Sequence, residues 1–240
     1  MEIAMYTIYP LAVGFNETDQ GIMTYQRSYG KRIILPIYVF AIKGGEKKIL
    51  VDTGLEDFMA PSDLEERIGF RVMDFEEALE TVGWKPEEVD IIVHTHLHND
   101  HCENDSLCTN ADIYVQQAEL DFCLNPHPID HRYYPEILEG LNIKTVRGDT
   151  KIVDGLEVLF TPGHTPGGQS VVVKTCVGKA IITGLCCNSE NFPSGGGVIT
   201  PGVHIDAIQA YESMVRIRES ADILIPIHDL GIGRKKSIPS

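Results

Sequence analysis

The sequence predicts an α/β protein of two packed mixed β-sheets with helices on their outer faces, a four-layer αβ/βα sandwich. Three observations predict it. Apolar, β-branched runs recur at residues 33–42, 48–51, 91–93, 169–174, 179–183 and 223–227, and such runs between turn residues read as buried strands. Helical periodicity is confined to residues 74–82, 116–124 and 206–219. The resulting order is a strand-rich half, helices, a second strand-rich half, then a helix and a strand, which two sheets covered by helices satisfy. No composition shift or repeat divides the 240 residues, so one domain spanning 1–240 is expected.

Taken in order, residues 2–9 read as a strand and the polar, glycine-containing stretch to Arg32 as a loop. Residues 33–42 form a strand, Gly44-Gly45 a hairpin turn, and 48–51 a returning strand that ends in Asp52-Thr53-Gly54. Asp74 is an N-cap, followed by Phe75, Ala78, Leu79 and Val82 at helical spacing, with Gly83 as the stop. Residues 113–115 are a short strand and 116–124 a helix. Pro126, Pro128 and Pro135 then break regularity over 125–141; this segment is either a substrate-facing insertion, since loops on a rigid scaffold carry specificity, or a plain surface connection with its aromatic residues packed down. A hairpin over 151–160 turns at Asp154-Gly155, and Ala207, Ala210, Met214 and Ile217 share one face of the helix at 206–219. The basic tail, 234–240, is expected to fray.

Composition excludes several functions. The chain is 43% hydrophobic and 23% charged with a net charge of -15. Nucleic acid and anionic membrane surfaces both require a basic face, so neither is an expected partner; a small-molecule substrate is. Six cysteines without a small-domain disulfide spacing, no signal-peptide-like start and no span-length apolar run point to a reduced, cytoplasmic protein. Homo-oligomerisation is left open.

The chemistry concentrates in Ile91-Ile92-Val93-His94-Thr95-His96-Leu97-His98-Asn99-Asp100-His101. Residues two apart on an extended strand share a side, so His96 and His98 are expected to present their imidazoles together, with Asp100 and His101 facing a second point. Imidazole and carboxylate suit zinc, iron and manganese. Polar groups of this kind do not end a buried strand uncompensated. A lone histidine also stands in the tight loop Thr161-Pro162-Gly163-His164, and another, His228, follows the last strand.

The pattern His96-x-His98-x-Asp100-His101, together with Asp52-Thr53-Gly54, Thr161-Pro162-Gly163-His164, Asn191-Phe192 and His228, resembles the metallo-β-lactamase superfamily and most of all its branch of acyl-homoserine lactonases. The resemblance implies the metallo-β-lactamase fold and two metal ions, zinc foremost, with iron or manganese as alternatives. His164 would complete a first site with His96 and His98, and His228 would be the last ligand of the second. Asp52 would order the site from below without being a ligand. A metal-bound hydroxide would open a small ester, lactone or related cyclic carbonyl compound, and Asp100 would carry the proton to the leaving group.

One departure stands inside the pattern. Two-metal hydrolases of the superfamily carry a bridging aspartate after a glycine, where this chain reads Gly184-Leu185-Cys186-Cys187-Asn188. Cys186, ahead of Cys187, is therefore expected to join Asp100, His101 and His228 around the second ion; otherwise both cysteines are small buried residues and the second ion is weak or absent. The tyrosine that those lactonases place three residues after the aspartate falls on Asn188 or Ser189, and His204 either approaches the substrate or caps the helix that follows it. Two other readings remain: a thioester hydrolase of the glyoxalase II kind, disfavoured by the short chain after His228, and a non-catalytic metal binder, favoured by the missing aspartate.

Overall fold

Two mixed sheets lie face to face in the protein, seen in a computed structural model that describes residues 5–239. The chain order is β1 (Thr7–Asp19), α1 (Gln20–Met23), β2 (Arg32–Lys43), β3 (Ile49–Val51), α2 (Leu64–Ile68), α3 (Phe75–Glu80), β4 (Ile91–Val93), α4 (Asn99–Cys102), β5 (Asp112–Gln116) and α5 (Gln117–Leu124). It continues through β6 (Ile143–Val146), β7 (Thr150–Val153), β8 (Leu156–Phe160), β9 (Gln169–Thr175), β10 (Gly178–Ile182), α6 (Ala207–Ser220), β11 (Ile223–Ile225) and α7 (Leu230–Gly233). The first sheet runs β1-β2-β3-β4-β5-β6 and the second β11-β10-β9-β8-β7. The first turns from antiparallel to parallel at β3, and in the second only β10 and β11 are parallel.

The layers follow from alternation along β2. Tyr38, Phe40 and Ile42 point at the second sheet, where they meet Val158, Val171, Val173 and Ile182. Ile37, Val39 and Ala41 point the other way and pack with Phe75, Ala78 and Leu79 of α3. Because both faces are covered, the strand reads as a continuous apolar run. On the far side Val172 and Ile181 pack under Ala210, Met214 and Ile217 of α6. The order helix, sheet, sheet, helix is the predicted four-layer sandwich. Among the described residues no helix is long and apolar enough to cross a membrane.

Three local expectations were off, each for a tertiary reason. The strand expected at 2–9 runs Thr7–Asp19 (residues 2–4 lie outside the described residues), so most of the polar stretch read as a loop is strand and helix. Its register comes from pairing with β2, with an irregularity between Ala12 and Gly14, and backbone pairing does not need an apolar side chain. β6, of sequence Ile-Lys-Thr-Val, was not foreseen; it is a partly exposed edge strand held by β5. The tail does not fray through Ile238, which is buried and exchanges both backbone hydrogen bonds with Ile8, at 2.8 and 2.7 Å.

Candidate metal centre

The histidine run leaves the sheet before its ligands begin. β4 ends at Val93, His96 and His98 stand on irregular backbone, and Asp100 and His101 lie on α4. The pleat therefore does not align the two imidazoles, whose planes cross at 87° with centroids 4.6 Å apart. Side-chain carboxylates take the amides a strand would give to its neighbour. Asp52 accepts from the Thr95 N–H at 2.7 Å and Glu119 from the Leu97 N–H at 3.0 Å. Those bonds curl the chain so that both rings face one point.

Two distant loops supply the remaining histidines. His164 follows β8 in a loop whose Gly163 adopts φ +122°, with the Gly163 carbonyl accepting the N–H groups of Ile205 and Asp206 ahead of α6. A Cβ on Gly163 would lie 2.2 Å from the Ala210 nitrogen. Gly163→Ala should therefore cost about 2 kcal/mol or more of stability and weaken metal binding, read by urea denaturation and metal titration. His228 follows β11, its N–H bonded to the Cys187 carbonyl at 3.1 Å.

The side chains converge in two sets. One ligand atom each from His96, His98 and His164 lies within 4.8 Å of the others, and the same holds for Asp100, His101 and His228. The second nitrogen of every ring is occupied by an acceptor. His98 Nε2 meets Asp130 at 3.1 Å, His101 Nδ1 meets Asp52 at 2.8 Å, and His164 and His228 Nδ1 meet the Val203 and Pro36 carbonyls, each at 2.9 Å. His96 Nδ1 meets the Thr95 hydroxyl at 3.0 Å, and that hydroxyl already donates to Asp52. Since these partners accept, each of those ring nitrogens carries the hydrogen and the other keeps a lone pair.

Protonation agrees with that geometry. Burial and neighbouring imidazoles hold His96 below the usual histidine range; burial, His98 and Arg132 do the same for His164. Burial and His101 bring His228 down to about 4, and burial lowers His98 against the pull of Asp130. Burial opposes ionisation of Asp100, yet His101, His228 and His98 keep its carboxyl below the ordinary range. Only His101 is raised, because Asp100 and Asp52 outweigh its burial. Neutral imidazoles around an ionised carboxylate are the donor state a divalent cation requires; the first set meets it as it stands, and a cation in the second would displace the proton that Asp100 and Asp52 favour on His101.

Beneath the two sets lies a polar layer that sequence spacing leaves largely unmarked. Asp52, at φ +59°, holds His101 and both polar groups of Thr95. The fully buried His94 is not a ligand. It bridges Asp52 at 3.4 Å and Asp105 at 2.8 Å, and those carboxylates outweigh its desolvation and raise it to about 10, so it is an imidazolium. Glu119 joins three segments: it accepts from the N–H groups of Leu97 and Gly167 and from the Tyr133 hydroxyl, at 3.0, 2.9 and 2.7 Å. Asp130 backs His98, and Arg132 grips Asp130 in turn. No sequence spacing marks Asp105, Glu119, Asp130 or Arg132. The proline-broken segment suspected of facing the substrate is where the last two reside.

The ligands line a cavity of about 410 Å³ with Ile22, Leu35, Leu55 and Val203 among its apolar walls, a volume in the small-molecule range. Cys186 lines it too but stands outside both sets. Its Sγ lies 3.6 Å from Met23 Sδ, and burial together with Asp100 pushes its thiol far up. Cys186→Ala should therefore keep the metal stoichiometry of the wild type, measured by elemental analysis. Cys187 is buried under α6 against the Thr183 hydroxyl. Asn188 pairs its amide with that of Gln20 and caps the turn at Ser189–Asn191. His204 bonds the Pro201 carbonyl and packs edge-on against Tyr25. Neither is among the residues that line the cavity, and local backbone and side-chain partners hold both.

The sequence matches the metallo-β-lactamase superfamily over residues 33–184. It is 28% identical over 225 residues to an N-acyl homoserine lactonase of Bacillus thuringiensis, covering 88% of this chain and 87% of that one. The fold superposes with a TM-score of 0.77 on an N-acyl homoserine lactone hydrolase that holds its product, N-hexanoyl-L-homoserine, at the catalytic metal center; identity is 27%, with 98% of this chain and 96% of that one covered. A dizinc quorum-quenching lactonase shares the fold at 19% identity and a TM-score of 0.67, over 95% and 89% of the two chains.

Proposed function

Because the chain belongs to the metallo-β-lactamase superfamily and is a metal-dependent hydrolase of its lactonase-like branch, we propose that it opens small lactones or esters with two divalent ions, zinc foremost, held in its two ligand sets. The observation that carries this reading is the pair of three-residue sets on the floor of one cavity, each histidine with its tautomer set by an acceptor. Iron and manganese suit the same donors. The six cysteines, none paired among the described residues, suit a reducing, cytoplasmic setting.

When bound, the ions supply a nucleophile at neutral pH and polarise the carbonyl. The chain does the rest. His96, His98 and His164 define one pole of the site, and Asp100, His101 and His228 the other. Asp100 is ionised and its Oδ2 lies 3.6 Å from His101 Nε2; its carboxylate takes a proton from water and delivers it to the leaving ring oxygen. The apolar walls exclude water and orient the acyl side of the substrate.

The test is a panel on protein reconstituted with each metal: γ-butyrolactone, an N-acyl homoserine lactone, a simple aryl ester and a glutathione thioester. Lactone and ester turnover that stops with chelator and returns with metal is expected. Thioester turnover alone would move the chain to the glyoxalase II class, and no turnover by a fully loaded protein would leave it a binder.

A further inference from the structure

The cavity over both ligand sets contains a guanidinium. Arg132 lies between α5 and β6, and among the described lining residues it is the only lysine or arginine. It is held from two sides. Its Nε and Nη2 donate to the two oxygens of Asp130 at 2.8 and 2.7 Å, and its carbonyl accepts from the Asn99 N–H at 2.9 Å. Asp130, 2% exposed, is anchored by His98 on its other side, whereas the Arg132 side chain is 37% exposed. Nη1 donates to no group among the described residues. The structure thus presents a pre-positioned, charged donor with open N–H groups at the edge of the reaction site.

We propose that Arg132 recognises a carboxylate on the substrate, so that the site prefers lactones bearing a carboxylate beside the ring over neutral ones; this rests on the lactonase reading above. A guanidinium on a fixed stem loses little freedom when it takes up an anion, and a charge-assisted bond in a partly dry cavity is stronger than one to a neutral carbonyl. Asp130 balances one unit of that charge and Glu17, turned to Arg67 at 2.9 Å, adds no second, so what Arg132 offers an incoming anion is its open N–H groups. A phosphate dianion would call for a second cationic side chain, which the lining lacks. The reaction balances with water alone. Water adds to the ring carbonyl carbon, the acyl carbon–oxygen bond breaks, the ring oxygen leaves as a hydroxyl with a proton, and the new acid releases one proton. The product is a hydroxy dicarboxylate.

The test uses the metal-loaded full chain and a matched pair: γ-butyrolactone and the γ-lactone of α-hydroxyglutarate, which adds only the carboxylate. The readout is the ratio of kcat/KM for the acidic to the neutral lactone. Arg132→Gln should lower that ratio about 10- to 100-fold, mainly through the KM of the acidic lactone, and Arg132→Lys should restore part of it. An unchanged ratio, with both substrates slowed alike and metal content reduced, would overturn the proposal and make Arg132 a positioning residue acting through Asp130 and His98. A calorimetric arm is independent of turnover: α-hydroxyglutarate should bind the wild type more tightly than γ-hydroxybutyrate, and Arg132→Gln should abolish the difference. If the wild type opens neither lactone the lactonase reading fails, while this arm still decides for or against Arg132; equal affinities for the two acids would decide against it.

Discussion

Replacing His164 by alanine should lower kcat/KM for lactone opening by more than about a hundredfold, beyond the 10- to 100-fold that loss of an outer partner of a metal ligand costs. The His96–His98–His164 set would keep two donors from one loop and lose the one that comes from the second sheet. Metal content should fall by about one ion per chain. The stabilisation that saturating metal gives the wild type, about 4 kcal/mol at a thousandfold excess over Kd, should shrink with it. Elemental analysis, thermal unfolding with and without metal, and kinetics check the three outcomes together. A variant with wild-type stoichiometry would show that His164 is no ligand.

Glu119→Ala should cost about 3–5 kcal/mol of folding stability in the metal-free protein. The carboxylate is fully buried and satisfies three donors: Leu97 N–H, Gly167 N–H and Tyr133 O–H. Each donor left without an acceptor costs about 1–3 kcal/mol, and partial relaxation brings the sum below simple addition. The change also frees the loop of His96 and His98 from the loop of His164, so metal affinity should drop about 10- to 100-fold. Urea denaturation of metal-free protein reads the first effect and metal titration the second. Glu119→Gln places an amide N–H against one of these donors and should recover only part of the loss. A penalty under about 1 kcal/mol would mean that water replaces the carboxylate and that the loops are joined by other contacts.

The histidines were legible because metal ligands cluster in sequence as well as in space: His96, His98, Asp100 and His101 fall within six residues. The sandwich was legible because strand segments buried on both faces must be apolar, as residues 33–42 of β2, all of β4 and residues 180–182 of β10 are. The polar half of β1 and the edge strand β6 escaped notice for the converse reason: their pairing is backbone to backbone and leaves no hydrophobic period to find. Sequence order alone does not show that Asn188 pairs with the Gln20 amide or that His204 bonds the Pro201 carbonyl.

The sequence by itself determined the layers, the family resemblance and which histidines cluster, since hydrophobic period and the spacing of the histidine run are both written along the chain. Only the tertiary structure decided what holds those imidazoles in place and what else shares their cavity. Asp52, Asp130 and Glu119 meet the ligand loops across separations of 49, 32 and 48 residues. Cys186 meets Met23, 163 residues away, and stands outside both three-residue sets. A hydrogen bond or a buried contact depends on distance in space, and a carboxylate far along the chain carries no local mark of the loop it will meet.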